Sequence, residues 1–257
     1  MRRPSINAIP APAHRVSPVP RPGAPGGDGP FLGILMLQTR FPRPPGDIGH
    51  PASFPVPTRR LVVDGATPAK VVGDAQGLAA GGLLDAFIEG AQRLEREGAL
   101  AITTSCGFLV LFQQQLQAAV RVPLVTSSLA QLPALLDAAP QVGVLTISAP
   151  RLGRAYLQAA GVPGARVQDV IVEGLPPDTA FARTILGDRP RLDLRQAQAD
   201  VVAAALSLKQ RAPQLRSMVL ECTNLPPYAD AIEAATGLRT VSLLQCETLL
   251  RPFRALP

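Results

Sequence analysis

Tryptophan is absent from this chain, and its other scarcities are nearly as informative. Aromatic residues make up 4% of the 257 residues, too few for the stacking platform on which single-stranded nucleic acid rests. There are two histidines, His14 and His50, and no Cys-x-x-Cys, so a typical zinc site has no ligand set and no metal is expected. Three cysteines, an odd number, argue against a disulfide framework and for free thiols in a reducing compartment. That makes the cytoplasm the expected location. No apolar run approaches the ~18 residues of a membrane span, so no membrane partner is expected. The Gly-x-Gly-x-x-Gly, Walker A and Gly-x-Ser-x-Gly patterns are missing, which leaves the common dinucleotide, phosphate-loop and serine-hydrolase readings without their residues. Lysine is scarce as well: only Lys70 and Lys209 among the 25 basic residues. The net charge of +6 is carried by scattered arginines, so it reads as composition rather than as a nucleic-acid footprint.

What is present is a chain 47% hydrophobic, enough for one large core or two smaller ones. Residues 1–30 hold eight prolines and no apolar periodicity, and are expected to form a disordered Pro/Arg-rich tail. From there, short apolar runs alternate with helical patterns, which predicts an α/β fold with parallel sheets. Strands are expected over 31–37, 99–105, 122–126, 142–147, 167–173, 217–221 and 239–244. Helices are expected over 83–94, from Cys106 to about Val120, through Leu136, and over 150–160, 177–186, 194–210 and 226–236. The proline-rich stretch 38–58 carries Arg40, Arg43, Asp47 and His50 and admits two readings, a substrate lid or a rigid surface excursion.

Two runs match across the chain. Gly33-Ile-Leu-Met-Leu resembles Gly143-Val-Leu-Thr-Ile. Cys106 closes the apolar run 99–106 and Cys222 closes the run 217–222, each ahead of a helical segment. This predicts a duplicated unit: a first lobe over 31–140, a second over 141–244, and a C-terminal segment 245–257 packing back on the first. Each thiol then sits at a strand's C-terminal end, where open α/β sheets bind ligands. A following helix N-terminus is expected to lower the thiol pKa. Cys246 has no counterpart and reads as a packing residue. Glu221, next to Cys222, is expected to point off the opposite side of the strand.

Thr103-Thr-Ser-Cys-Gly-Phe108 and Leu220-Glu-Cys-Thr-Asn-Leu-Pro-Pro-Tyr228 resemble the paired cysteine motifs of the aspartate/glutamate racemase superfamily. The stretch 35–49 resembles a branch apart from its well-studied members. The chain differs from the amino-acid racemases in having Gly107-Phe108 after the first cysteine and Gln38-Thr39 after the first strand. The resemblance implies two similar α/β lobes related by a pseudo-twofold axis, with the active site between them and no cofactor. Cys106 and Cys222 become an acid–base pair. The implied substrate contacts are Thr39, Ser105, Gly107, Thr126, Ser127, Thr223 and Asn224; if the stretch 38–58 closes over the substrate, Arg40 joins them, because a guanidinium can grip a carboxylate with two hydrogen bonds. The expected activity is a racemase or epimerase acting next to a carboxylate, and the expected partner is a small carboxylate substrate. A cysteine-dependent cis–trans isomerase or decarboxylase of a dicarboxylate, and a binder without activity, remain alternatives. A homodimer is left open.

Overall fold

A computed structural model describes residues 29–73 and 82–254. The tail read over 1–30 lies outside the described residues except for its last two. Strands β1 (Phe31–Leu37), β2 (Thr58–Val63), β3 (Ala99–Thr104) and β4 (Leu124–Val125) form one sheet in the order β2-β1-β3-β4. Strands β5 (Val142–Thr146), β6 (Val170–Gly174), β7 (Ser217–Leu220) and β8 (Arg239–Val241) form the other in the order β6-β5-β7-β8. Every pairing is parallel. Counted from its own first strand, each sheet has the same order, so the fold is two copies of one α/β unit.

The repeat has a packing reason as well as a topological one. Gly33 in β1 and Gly143 in β5 each face a leucine of the helix that covers their sheet. A Cβ at Gly33 would come within 2.9 Å of Leu94, in the helix Leu83–Arg96, and one at Gly143 within 3.0 Å of Leu208, in the helix Leu194–Arg211. In both lobes a bare backbone on the first strand lets the helix leading to the cysteine strand sit close.

β1 is buried on both faces, as a central parallel strand must be. Phe31, Leu35 and Leu37 join the main core, while Leu32, Ile34 and Met36 join a second cluster. That second cluster takes in Ile48 and Phe54 from the proline-rich stretch and Cys246 and Leu249 from the C-terminal end. Residues 243–254 thus pack on the first sheet, and Cys246 is a free, buried packing thiol.

Several elements differ from expectation. β2 has no clear strand signal in the sequence, because Arg59 and Arg60 interrupt its apolar pattern. It is an edge strand whose Arg59 lies over the Phe31 ring and pairs with Glu97. The helices expected after the cysteines begin as 3₁₀ turns (Gly107–Phe112 and Pro226–Tyr228) before the short helices Gln113–Ala118 and Ala229–Thr236. β4 and β8 are shorter than the runs 122–126 and 239–244 suggest.

The connection between β1 and β2 is fastened to the second lobe. Arg40 pairs with Asp188, and the Ile48 N–H donates to the Thr223 carbonyl at 3.2 Å. Gly46 has φ +96°, and a Cβ there would lie 2.9 Å from Pro227 Cα. The connection is thus held against the second lobe, and its Phe41 reaches the cavity between the lobes. Gly46→Ala should therefore destabilise the fold by at least about 1 kcal/mol, since strain at positive φ adds to a backbone clash. The shift of the denaturant midpoint reads this directly, and an unchanged midpoint would mean the loop is detachable.

Candidate active site

The two cysteine strands end side by side at the junction of the lobes. On the first side, the Ser105 N–H donates to the Leu35 carbonyl and the Ser105 hydroxyl oxygen accepts from the Leu37 N–H at 2.9 Å, which fixes the turn into Cys106. On the second, the Glu221 N–H donates to the Leu145 carbonyl at 2.9 Å. Two buried hydroxyls then tie the lobes together. Thr223 Oγ1 donates to the Ser105 carbonyl at 2.6 Å, and Ser128 Oγ donates to the Leu220 carbonyl at 2.7 Å.

A cavity opens on this junction. Ser105, Cys106 and Gly107 from the first lobe and Glu221, Cys222, Thr223 and Asn224 from the second supply its polar side. Leu37, Phe41, Phe108, Ile147 and Ile185 supply apolar walls. Both cysteines thus face one cavity, one from each lobe.

Of the residues implied as substrate contacts, Ser105, Gly107, Thr223 and Asn224 line this cavity and four others do not. Thr39 accepts from the Arg43 guanidinium. Arg40 is turned to solvent, with 72% of its side chain exposed on the ion pair with Asp188. The Thr126 hydroxyl donates to Gln113 Oε1 at 2.8 Å. Ser127 caps the 3₁₀ turn Ser128–Gln131 by accepting from the Leu129 N–H. Thr126 and Ser127 hold β4's end in place; they do not face the cavity.

Asn224 is the end of a buried chain. Arg43 Nη1 donates to Asp47 Oδ1 at 2.8 Å, and Asn224 Nδ2 donates to Asp47 Oδ2 at 2.6 Å. The Cys222 thiol in turn faces Asn224 Oδ1 at 3.6 Å. The proline-rich loop therefore orients the residue that holds the second thiol.

Glu221 corrects the expectation that it would point away. It lines the cavity, is fully buried, and accepts from the Thr146 hydroxyl on Oε2 at 2.6 Å. Its Oε1 has no hydrogen-bond partner and lies against Gly107, where a Cβ would sit 2.3 Å from it. Strand alternation fails as a guide because β7 ends at Leu220 and the backbone turns there.

The thiols are also corrected. The N–H groups of Phe108 and Leu109 favour the Cys106 thiolate, as the expected helix-start effect requires, but burial outweighs them. Burial, reinforced by the Glu221 charge, pushes Cys106 up to about 12 and Cys222 well above its ordinary value. Burial likewise raises Glu221 to about 7, against the Thr146 hydrogen bond that lowers it. Burial therefore disfavours the charged form of all three groups, the two thiols and the Glu221 carboxyl.

All three cysteines are free, and among the described residues no cluster of His, Cys, Asp and Glu could hold a metal. No helix among them is long and apolar enough to cross a membrane.

No protein-family model matches the chain. Over 231 residues, 85% of its length, it is 31% identical to dimethylsulfoniopropionate lyase 3 of Emiliania huxleyi (strain CCMP1516), and it spans 58% of that protein. It is 28% identical over 234 residues to the dimethylsulfoniopropionate lyase of Durusdinium sp. clade D, spanning 74% of it. Among solved structures, unliganded arylmalonate decarboxylase superposes with a TM-score of 0.52 at 16% identity, covering 88% of this chain and 92% of the other. A glutamate racemase isoform from Bacillus anthracis superposes with a TM-score of 0.54 at 16% identity, covering 89% and 82%. The two-lobe α/β fold is the one these racemase-type structures share.

Proposed function

We propose that this chain is an enzyme that removes a proton from the carbon next to the carboxylate of a small acid, with Cys106 and Cys222 as its acid–base pair. The observation that carries this reading is the pair of thiols on one cavity, one from each lobe. A thiolate takes the α-proton, and the electron pair passes to the carboxylate as an enediolate. The Ser105 hydroxyl, which accepts from the Leu37 N–H and keeps its own proton to donate, and backbone N–H groups of the turn 222–224 are the donors that would hold that charge.

The fate of the enediolate depends on the β-carbon. Where it bears a leaving group, the pair forms a C=C bond and expels that group. Dimethylsulfoniopropionate would lose its α-proton to the thiolate, break its C–S bond, and give acrylate and dimethyl sulfide. The similarity to dimethylsulfoniopropionate lyases along 85% of the chain favours this elimination as the first reaction to test. Where no leaving group is present, the opposite thiol delivers a proton to the other face and inverts the centre. The matching placement of the two cysteines favours this second outcome.

The raised thiols fix the expected pH dependence. The base is active as thiolate, whose fraction grows about tenfold per pH unit below its pKa. With both thiols raised, kcat/KM should climb from pH 7 to beyond pH 9, and a plateau by pH 7 would mean the base is another group. The defining experiment incubates the protein with dimethylsulfoniopropionate, and separately with a panel of chiral small acids in D₂O. Dimethyl sulfide release or α-deuterium incorporation supports the reading. Neither product from folded protein would overturn it.

A further inference from the structure

Glu221 is unused by the thiol chemistry of the two cysteines. Among the described residues lining the cavity it is the only charged one. Two cations of the adjoining loop have partners of their own outside the cavity lining: Arg43 donates to Asp47 and Thr39, and Arg40 to Asp188. One carboxyl oxygen is satisfied by Thr146, while Oε1 is buried with no partner. A buried carboxylate with a bare oxygen and no counter-charge is costly. Short of protonation, which burial favours here, no side chain among the described residues offsets that cost, and Glu221 lines the cavity into which a charged ligand would come.

We propose that Glu221 is the counter-ion for a positively charged group on the substrate, and so the residue that selects acids with a cationic substituent over dicarboxylates. The assignment rests on the small-acid reading and names the class of acid. A zwitterion with a sulfonium or quaternary ammonium group meets the Glu221 charge with its cation and leaves its carboxylate for Ser105 and the turn 222–224. A dicarboxylate would bring a second negative charge to a cavity whose only charged lining residue among those described is Glu221. The walls fit the same class. Phe41, Phe108, Ile147 and Ile185 suit the methyl groups of a weakly hydrated cation, which gains further from aromatic neighbours.

The proposal fixes a pH signature. The titratable groups facing Glu221 are the Cys106 and Cys222 thiols, both raised and neutral near pH 7. In the loop packed against this region, Arg43 and Asp47 pair with each other, and the Tyr228 phenol is raised to about 12 by burial. Glu221, raised to about 7, is thus the group whose charge changes near neutrality. Affinity for a cationic ligand should rise as pH increases through about 7 and level off above it.

The test uses two shape-matched ligands that have no leaving group on a β-carbon and so cannot undergo this elimination: trimethylammonio-acetate and its neutral analogue 3,3-dimethylbutanoate, in which a tert-butyl group replaces the trimethylammonium. Their dissociation constants are measured by calorimetry on the whole protein and on Glu221→Gln between pH 6 and 8. The wild type should bind the cationic ligand at least tenfold more tightly at pH 8, with the preference shrinking toward pH 6. Glu221→Gln should bind the two alike, without pH dependence, while keeping its affinity for the neutral analogue. If the variant does not fold, the wild-type pH series reads the same group by itself. Equal wild-type affinities, a preference that survives Glu221→Gln, or binding of neither ligand at millimolar concentration would overturn the assignment. None of these readouts requires turnover, so a failure here is separate from a failure of the proton-transfer reading.

Discussion

Cys106→Ser and Cys222→Ser should each lower turnover by about 10²–10⁴-fold, the contribution of a positioned acid or base. Serine keeps the size and the hydrogen bonding of the site, but its hydroxyl is a far weaker base than a thiol near neutral pH. Inversion and elimination make different patterns. In a racemase both substitutions stop inversion, because each hand of the substrate needs one thiol as base and the other as acid. Each variant then retains α-proton exchange on the one enantiomer whose proton faces the surviving thiol, and the two variants favour opposite hands. In an elimination only one thiol must be the base, so one variant is inactive and the other is merely slowed. Stopped-time assays of product and of solvent deuterium in both variants separate these cases. Inversion at the normal rate by either variant would exclude the two-thiol account of inversion.

Asp47→Ala should cost about 3–5 kcal/mol of stability, the usual consequence of removing one member of a buried ion pair. Asp47 is fully buried and receives hydrogen bonds from Arg43, Gly49 and Asn224. Without it the Arg43 guanidinium, 10% exposed, has no counter-charge, and Asn224 is free to turn away from the Cys222 thiol. Activity should fall together with the denaturant midpoint. Asp47→Asn should fall between, because its carbonyl oxygen still accepts one hydrogen bond while the charge is lost. A midpoint shift below about 1 kcal/mol would return residues 38–57 to the status of a loosely held lid, since exposed pairs contribute about that little.

The duplicated architecture is legible in the sequence because its two markers are local. Gly33 and Gly143 sit in apolar runs and each makes room for a helix leucine, and Cys106 and Cys222 close matching runs. Their meeting on one cavity follows from the shared strand order. The features that escape a sequence reading depend on contacts remote along the chain. Asp47 reads as a polar loop residue among prolines, yet its partner Asn224 is 177 positions away. Arg40 reads as a carboxylate clamp because nothing near it suggests Asp188. Period-two alternation puts Glu221 on the wrong side because it holds only inside a strand, and β7 stops one residue earlier. Thiol acidity is misjudged for a related reason. The favourable N–H groups are local and readable, while the burial and the Glu221 charge that outweigh them are tertiary.

The central claim is that the two thiols, and no other group, move a proton at the carbon beside a carboxylate. Mass spectrometry of a small acid recovered after incubation with the protein in D₂O tests it directly. The account predicts deuterium at that carbon with the wild type, and none above the uncatalysed background with the double variant Cys106→Ser/Cys222→Ser. Incorporation at the wild-type rate by the double variant would contradict it.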